Sequence, residues 1–171
     1  MTRILGIDPG SRYTGYGIID VESGNNRLVA HGRIVAGSGE LRDRLLKIDA
    51  ELDRLLGEFG PVEAAFEEVF VSRNVRSALI LGHARGVALC AVARAGLPAS
   101  EYAASQVKMA LTGSGRADKD QVQHMVRVML NLQESLAEDA SDALAVALTH
   151  AHVRSTRLRT GLPASRRWRR R

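Results

Sequence analysis

Ile4-Leu5-Gly6-Ile7-Asp8-Pro9-Gly10-Ser11-Arg12-Tyr13-Thr14-Gly15-Tyr16-Gly17-Ile18-Ile19 reads as a buried strand that ends on a carboxylate, a Pro-Gly turn, and a second strand. Arg3 to Asp8 forms the first strand and Thr14 to Val21 the second, with glycines at 15 and 17. Asn26 to Ala36 supplies a third, with Gly24-Asn25 at the turn before it, and such short connections favour an antiparallel meander. Leu41, Leu45, Ile48, Leu52 and Leu55 recur at helical spacing, so an amphipathic helix follows and ends near Gly60-Pro61. Val62 to Phe70 reads as a fourth strand, Val75 to Ala95 as a long helix rich in small residues, and Pro98 to Tyr102 as a fifth strand. A short helix over 104–111, a Gly-Ser loop over 112–117, a helix capped by Asp118 and running to about Leu130, and a last helix over Glu138 to Val153 complete the chain. The fold class is α/β: a mixed five-stranded sheet, three antiparallel strands then two parallel ones, with helices on both faces.

The 171 residues suffice for one domain with a full core. Residues 1–153 are assigned to it, and 154–171 to a basic, flexible C-terminal tail. Formal net charge is +5, yet residues 151–171 hold eight arginines and no acid, which leaves 16 basic against 19 acidic residues, a net −3, over 1–150. Arg166, Arg167, Arg169, Arg170 and Arg171 around Trp168 suit either a polyanion contact or a solvated end. The one cysteine, Cys90, lies in an apolar stretch, reads as core and cannot form an internal disulfide. The longest apolar run, Ala78 to Ala95, is broken by His83, Arg85 and Arg94, and no hydrophobic signal region opens the chain. The expectation is a cytoplasmic protein.

Four acids invite a chemical reading: Asp8 at a strand end, Glu67 within an apolar strand, and Asp139 and Asp142 on one face of the last helix. A buried carboxylate is costly to ionise unless a cation shares its site, and no matching set of buried lysines or arginines accompanies these four. Strand alternation puts Glu67 and Glu68 on opposite faces, so only one can join Asp8, and spacing alone does not choose. Convergent carboxylates suit two divalent ions, Mg²⁺ or Mn²⁺, in phosphodiester hydrolysis without a covalent intermediate. Lys108 and Lys119 flank the loop holding Arg116 and bracket a phosphate seat. Phe70 follows the acidic strand and could stack on an unpaired base, with Arg73 and Arg76 beside it for phosphates.

Gly6-Ile7-Asp8-Pro9-Gly10-Ser11-Arg12 with Thr14-Gly15-Tyr16-Gly17, then Glu67-Glu68-Val69-Phe70, Ala84-Arg85-Gly86, Gln121-Val122-Gln123-His124-Met125 and Asp139-Ala140-Ser141-Asp142-Ala143-Leu144-Ala145 together resemble the RuvC family of bacterial Holliday junction resolvases. The likeness runs in order from about Arg3 to His152. It implies a ribonuclease H-like fold and a Mg²⁺-dependent endonuclease that cuts four-way DNA junctions symmetrically, leaving 5′-phosphate and 3′-hydroxyl ends. It also implies Asp8, Glu67, Asp139 and Asp142 as the ligands of two Mg²⁺, which Mn²⁺ can replace. By the same resemblance Lys108 and Lys119 lie near the cleaved strand, Phe70 acts at the junction centre, and RuvA and RuvB are partners. The helix carrying Gly82 and Gly86 becomes the contact region of a homodimer.

Three rivals stay in view. Actin-like ATPases and sugar kinases also place an Asp-x-Gly hairpin after a first strand, but need a second such hairpin and domain. A junction-binding protein without catalysis would not need four acids. A related ribonuclease H-like enzyme acting on RNA would use the same ones.

Overall fold

β1 (Thr2–Asp8), β2 (Tyr13–Glu22) and β3 (Asn25–Val35) form the meander. α1 (Leu41–Phe59), β4 (Glu63–Glu67), α2 (Val75–Arg94) and β5 (Ala99–Tyr102) follow, then α3 (Ala104–Thr112), α4 (Lys119–Leu130) and α5 (Glu138–Thr160). The computed structural model describes residues 1–68 and 74–161. Sheet order is β3-β2-β1-β4-β5, with β1 parallel to β4 and β4 parallel to β5. The expected mixed sheet is therefore present.

Three local expectations shift. The fourth strand, expected over Val62 to Phe70, spans Glu63–Glu67, with Glu68 outside it and residues 69–70 outside the described ones. Ser23 and Gly24 take φ of 51° and 86°, the positive pair that a two-residue hairpin loop needs, so the turn sits one residue before Gly24-Asn25 and Asn25 already belongs to β3. α5 continues past Val153 to Thr160, because its C-terminal half keeps helical spacing and stops only at Gly161, whose φ of 67° suits a helix C-terminus. Asp118 caps α4 as expected: its carboxylate accepts from the Gln121 N–H at 2.8 Å.

Alternation along β1 sorts the core into two layers. Ile4 packs with Ile19, Leu144, Leu148 and Val126 on the face covered by α3, α4 and α5. Leu5 and Ile7 pack with Ile18, Ile48, Leu52, Phe66 and Ala88 on the face of α1 and α2. Gly6 and Asp8 share Ile4's parity, and Glu67 shares that of Ala65, which also belongs to the α5 layer. The parity left open by the sequence is thereby decided. Glu67, not Glu68, faces the same side as Asp8.

α5 lies unusually close to this face. A Cβ on Gly6 would stand 2.0 Å from the Ala143 carbonyl oxygen, one on Gly15 1.9 Å from that of Asp139, and one on Gly17 2.6 Å from the Leu144 side chain. Gly6 and Gly17 are directly opposed across the β1–β2 ladder. Together these glycines form a groove into which the Ala-rich helix settles, a use of strand glycine that close backbone approach explains. α2 has the length and composition of a membrane span, yet it packs Ala84, Ala88, Ala91 and Val92 against the sheet.

Candidate active site

Asp8 ends β1 opposite Gly15, where β1 and β2 part. The turn beyond it is held: the Thr14 hydroxyl, fully buried, donates to the Gly10 carbonyl at 2.8 Å and accepts from the Gly10 N–H at 3.3 Å. Arg44 of α1 donates to the Ser11 carbonyl at 3.1 Å. Docking of α5 in the glycine groove brings its first two turns, with Asp139 and Asp142, to the same end of the sheet, and β4 delivers Glu67 there from the neighbouring strand.

Electrostatics record the convergence. Burial, then the charges of Asp142, Glu67 and Asp139, push the Asp8 carboxyl up to about 7, with Lys119 opposing. Glu67 is raised by burial and by Asp142, against the pull of Lys119 and Lys108. Asp142 is raised by burial even though Lys119 donates to it. For Lys119, partial burial pulls downward, but bonds to Glu138 and Asp142 outweigh it and the net shift is up. Glu67, Lys108, Lys119, Val122 and Asp142 line one cavity of about 330 Å³.

The four acids are not closed into a cage. Among the described residues no three His, Cys, Asp or Glu side chains stand together as ligands of one ion. Protein cations occupy the outer acids instead: Lys119 Nζ lies 2.9 Å from Asp142 Oδ2 and also pairs with Glu138, while Arg33 Nη1 stands 3.8 Å from Asp139 Oδ2. Asp8 and Glu67 have no side-chain hydrogen bond or ion pair among the described residues. All-oxygen donors with excess negative charge fit a hard divalent cation.

Of the other expected residues, Lys108 and Lys119 join the cluster, while Arg76 at the start of α2 and Arg116 in the loop before α4 are exposed. Phe70 and Arg73 lie outside the described residues. Cys90 is a correction: it is exposed, not core, because it points along the groove between α1 and α2 with Leu46, Leu79, Gly82 and Gly86. Sequence reasoning missed Arg33, whose guanidinium stacks 4.6 Å from the Tyr13 ring centre beside Asp139. It also missed the buried chain in which the Tyr102 hydroxyl meets His150 Nδ1 at 2.7 Å and His150 Nε2 meets Glu63 at 2.7 Å. His150 is the one imidazole on the buried stripe of α5, a signal the sequence offered.

The family described as "Crossover junction endodeoxyribonuclease RuvC" matches residues 4–150. A protein of that name from Xanthomonas campestris pv. campestris (strain B100) is 55% identical over 170 residues, covering 98% of each chain. One from Xylella fastidiosa (strain 9a5c) is 54% identical over the same span and coverage. Among solved structures, T. thermophilus RuvC in complex with Holliday junction substrate superposes with a TM-score of 0.87 at 35% identity, over 91% of this chain and 96% of that one. The yeast mitochondrial Holliday junction resolvase Ydc2 shares the fold, with a TM-score of 0.65 at 11% identity over 90% and 81%.

Proposed function

The chain belongs to the RuvC family and is a crossover junction endodeoxyribonuclease that resolves Holliday junctions, and we propose that it cuts them at the cluster of Asp8, Glu67, Asp139 and Asp142. The observation that carries this reading is the convergence of Asp8, Glu67, Asp139 and Asp142 at one end of the sheet, where burial and the three neighbouring charges push the Asp8 carboxyl up to about 7. RuvC nucleases depend on a metal, and these oxygen donors suit two Mg²⁺, for which Mn²⁺ can substitute. Bound there, the cations supply the Lewis acidity that activates water and offsets charge on the leaving oxygen.

The chain's own residues place the substrate. Lys108 and Lys119, on the walls of the acidic cavity, hold oxygens of the scissile phosphate, and water attack leaves a 5′-phosphate and a 3′-hydroxyl. The exposed Arg76 and Arg116 contact flanking phosphates. Phe70 stacks on a base at the junction centre, a role that rests on the family likeness, and Arg73 contacts a backbone phosphate. The nuclease domain expected over 1–153 extends with α5 to Thr160, and the arginines over 166–171 add a polyanion contact.

Two copies are needed for two symmetric cuts. The apolar groove between α1 and α2, of about 950 Å³ and carrying Leu46 at 67% and Leu79 at 61% exposure, is the surface a second copy would cover. RuvA and RuvB are the expected partners, in the cytoplasm. Incubation with a mobile four-way DNA junction, with and without Mg²⁺, tests the whole reading by mapping cuts on each strand. Paired, ligatable nicks on opposing strands that need the cation are expected. Equal cutting of duplex RNA, or cutting in chelator, would overturn it.

A further inference from the structure

Arg85 reaches from the middle of α2 under the end of β4. Its Nη1 donates to the Glu67 carbonyl oxygen at 2.8 Å, and its Nη2 meets Glu101 Oε1 on β5 at 2.7 Å. The guanidinium carbon stands 5.9 Å from the Phe66 ring centre. Arg85 is only 17% exposed and Glu101 26%, so the pair is partly desolvated and its geometry well defined. Three elements meet at one planar group.

Glu67 is in special need of such support. Its ladder with β1 stops one residue earlier, at Ile7 opposite Phe66, and β4 itself ends at Glu67. On the β5 side, the Glu68 N–H donates to the Tyr102 carbonyl at 2.8 Å. Arg85 fixes the carbonyl of the same peptide unit, and with that plane held, the direction in which the Glu67 side chain leaves the strand is set. A lysine would have to meet both acceptors from a single nitrogen, without the rigid planar fork that fixes the directions to the two.

We propose that Arg85 is a positioning residue: by anchoring the Glu67 peptide to α2 and β5 it aims the Glu67 carboxylate into the acid cluster and so sets the site's affinity for divalent metal. The inference rests on the reading of Glu67 as a metal ligand. Residues that orient a ligand typically change metal affinity or activity by about 10–100-fold when removed. Arg85 never touches the reacting atoms, so its loss should appear in metal dependence and not in junction affinity.

The test uses the full chain and Mn²⁺ alone, with bound ion followed by electron paramagnetic resonance without DNA, and junction cleavage titrated with Mn²⁺ in parallel. Arg85→Met should raise the half-saturating Mn²⁺ concentration about tenfold or more, lower kcat at limiting metal, leave KM for the junction unchanged, and recover activity with added Mn²⁺. Arg85→Lys should fall between Met and the parent. An unchanged Mn²⁺ midpoint in folded Arg85→Met protein overturns the role. Should that variant not fold, Glu101→Gln, which loosens the guanidinium without removing it, must shift the midpoint the same way, and no shift there is equally fatal. Glu67→Gln separates the two readings. If it binds Mn²⁺ and cuts like the parent, the ligand assignment fails and Arg85 with it; if it loses both while Arg85→Met does not, the positioning role alone is wrong.

Discussion

The two ends of the central strands bury carboxylates in opposite ways. At the entry end Asp20, 3% exposed, accepts from Arg3 at 2.8 and 3.0 Å and from Arg27 at 2.6 Å, and the Arg3 hydrogen bond leads the effects that hold its carboxyl below the ordinary range. Glu63 accepts from Arg154 at 2.9 Å and meets His150 at 2.7 Å, and its pKa is likewise lowered, chiefly by His150. At the exit end Asp8, Glu67 and Asp142 are all raised, chiefly by burial. The residue types are similar, and the supply of protein cations differs. A fold stabilises itself where acids are paired within the chain; where the pairing is left short, negative charge is left in excess, as the proposed cation site requires.

Asp8→Asn attacks the under-paired end at its hub and has the largest expected effect. Cleavage should fall by on the order of a thousandfold, equivalent to about 4 kcal/mol in the barrier, while junction binding in a gel-shift assay persists. The same variant should melt at a higher temperature than the parent at pH 8 without metal, since it removes a charge its neighbours oppose. A metal-free melting temperature that falls instead would mean that the cluster's repulsion is relieved inside the chain.

Gly6→Ala strikes both ends at once. Its new methyl would meet the Ala143 backbone oxygen at 2.0 Å, and a backbone atom cannot swing aside as a side chain can. α5 must lift, which draws Asp139 and Asp142 from Asp8 at one end and His150 and Arg154 from Glu63 at the other. Destabilisation of about 3 kcal/mol or more, read from urea unfolding, is expected, with a raised metal requirement in whatever protein folds.

Asp20→Asn breaks the paired end. It leaves Arg3 and Arg27 without their counter-charge beside a buried position, and should cost about 3 kcal/mol of stability. Cleavage per folded molecule should stay at the parental rate. Loss of cleavage in folded Asp20→Asn protein would erase the distinction between the two ends.

Much of this was legible before any coordinates. The alternation of Ile4, Leu5 and Ile7, the Pro-Gly turn and the helical spacing of Ile48, Leu52 and Leu55 gave the sheet and its first helix because burial periodicity is local information. The acids stood out for the same reason, as charges in apolar surroundings. What stayed hidden depends on tertiary placement. Gly6, Gly15 and Gly17 look like weak strand residues until α5 lies on them, and the choice between Glu67 and Glu68, which the family resemblance made, has its physical reason only in the helix layer. Cys90 sits in an apolar stretch whose outer side faces a groove, so composition alone misplaced it. Arg85 reads as an interruption of a hydrophobic helix, and only the end of β4 gives it an acceptor.

pH separates the two ends by sign, with the smallest effect. An unfolded aspartate titrates near 3.9, and Asp8 in the folded chain near 7. The folded state therefore binds the proton more tightly, and the stability this confers is complete below about pH 3.9 and drains away as pH rises to 7. Asp20 runs the other way. Its carboxyl is lowered, so its contribution is complete above about pH 3.9 and is lost only below that, through the folded value. Between pH 8 and 5.5, then, metal-free protein should gain at most about 2 kcal/mol from Asp8 and nothing from Asp20. Urea midpoints across that range should show the gain in the parent and in Asp20→Asn, and lose it in Asp8→Asn. Saturating Mg²⁺ should flatten the parent's profile as well, because a cation at the cluster favours the ionised carboxylate; a slope that survives both Asp8→Asn and Mg²⁺ would not belong to the acid cluster.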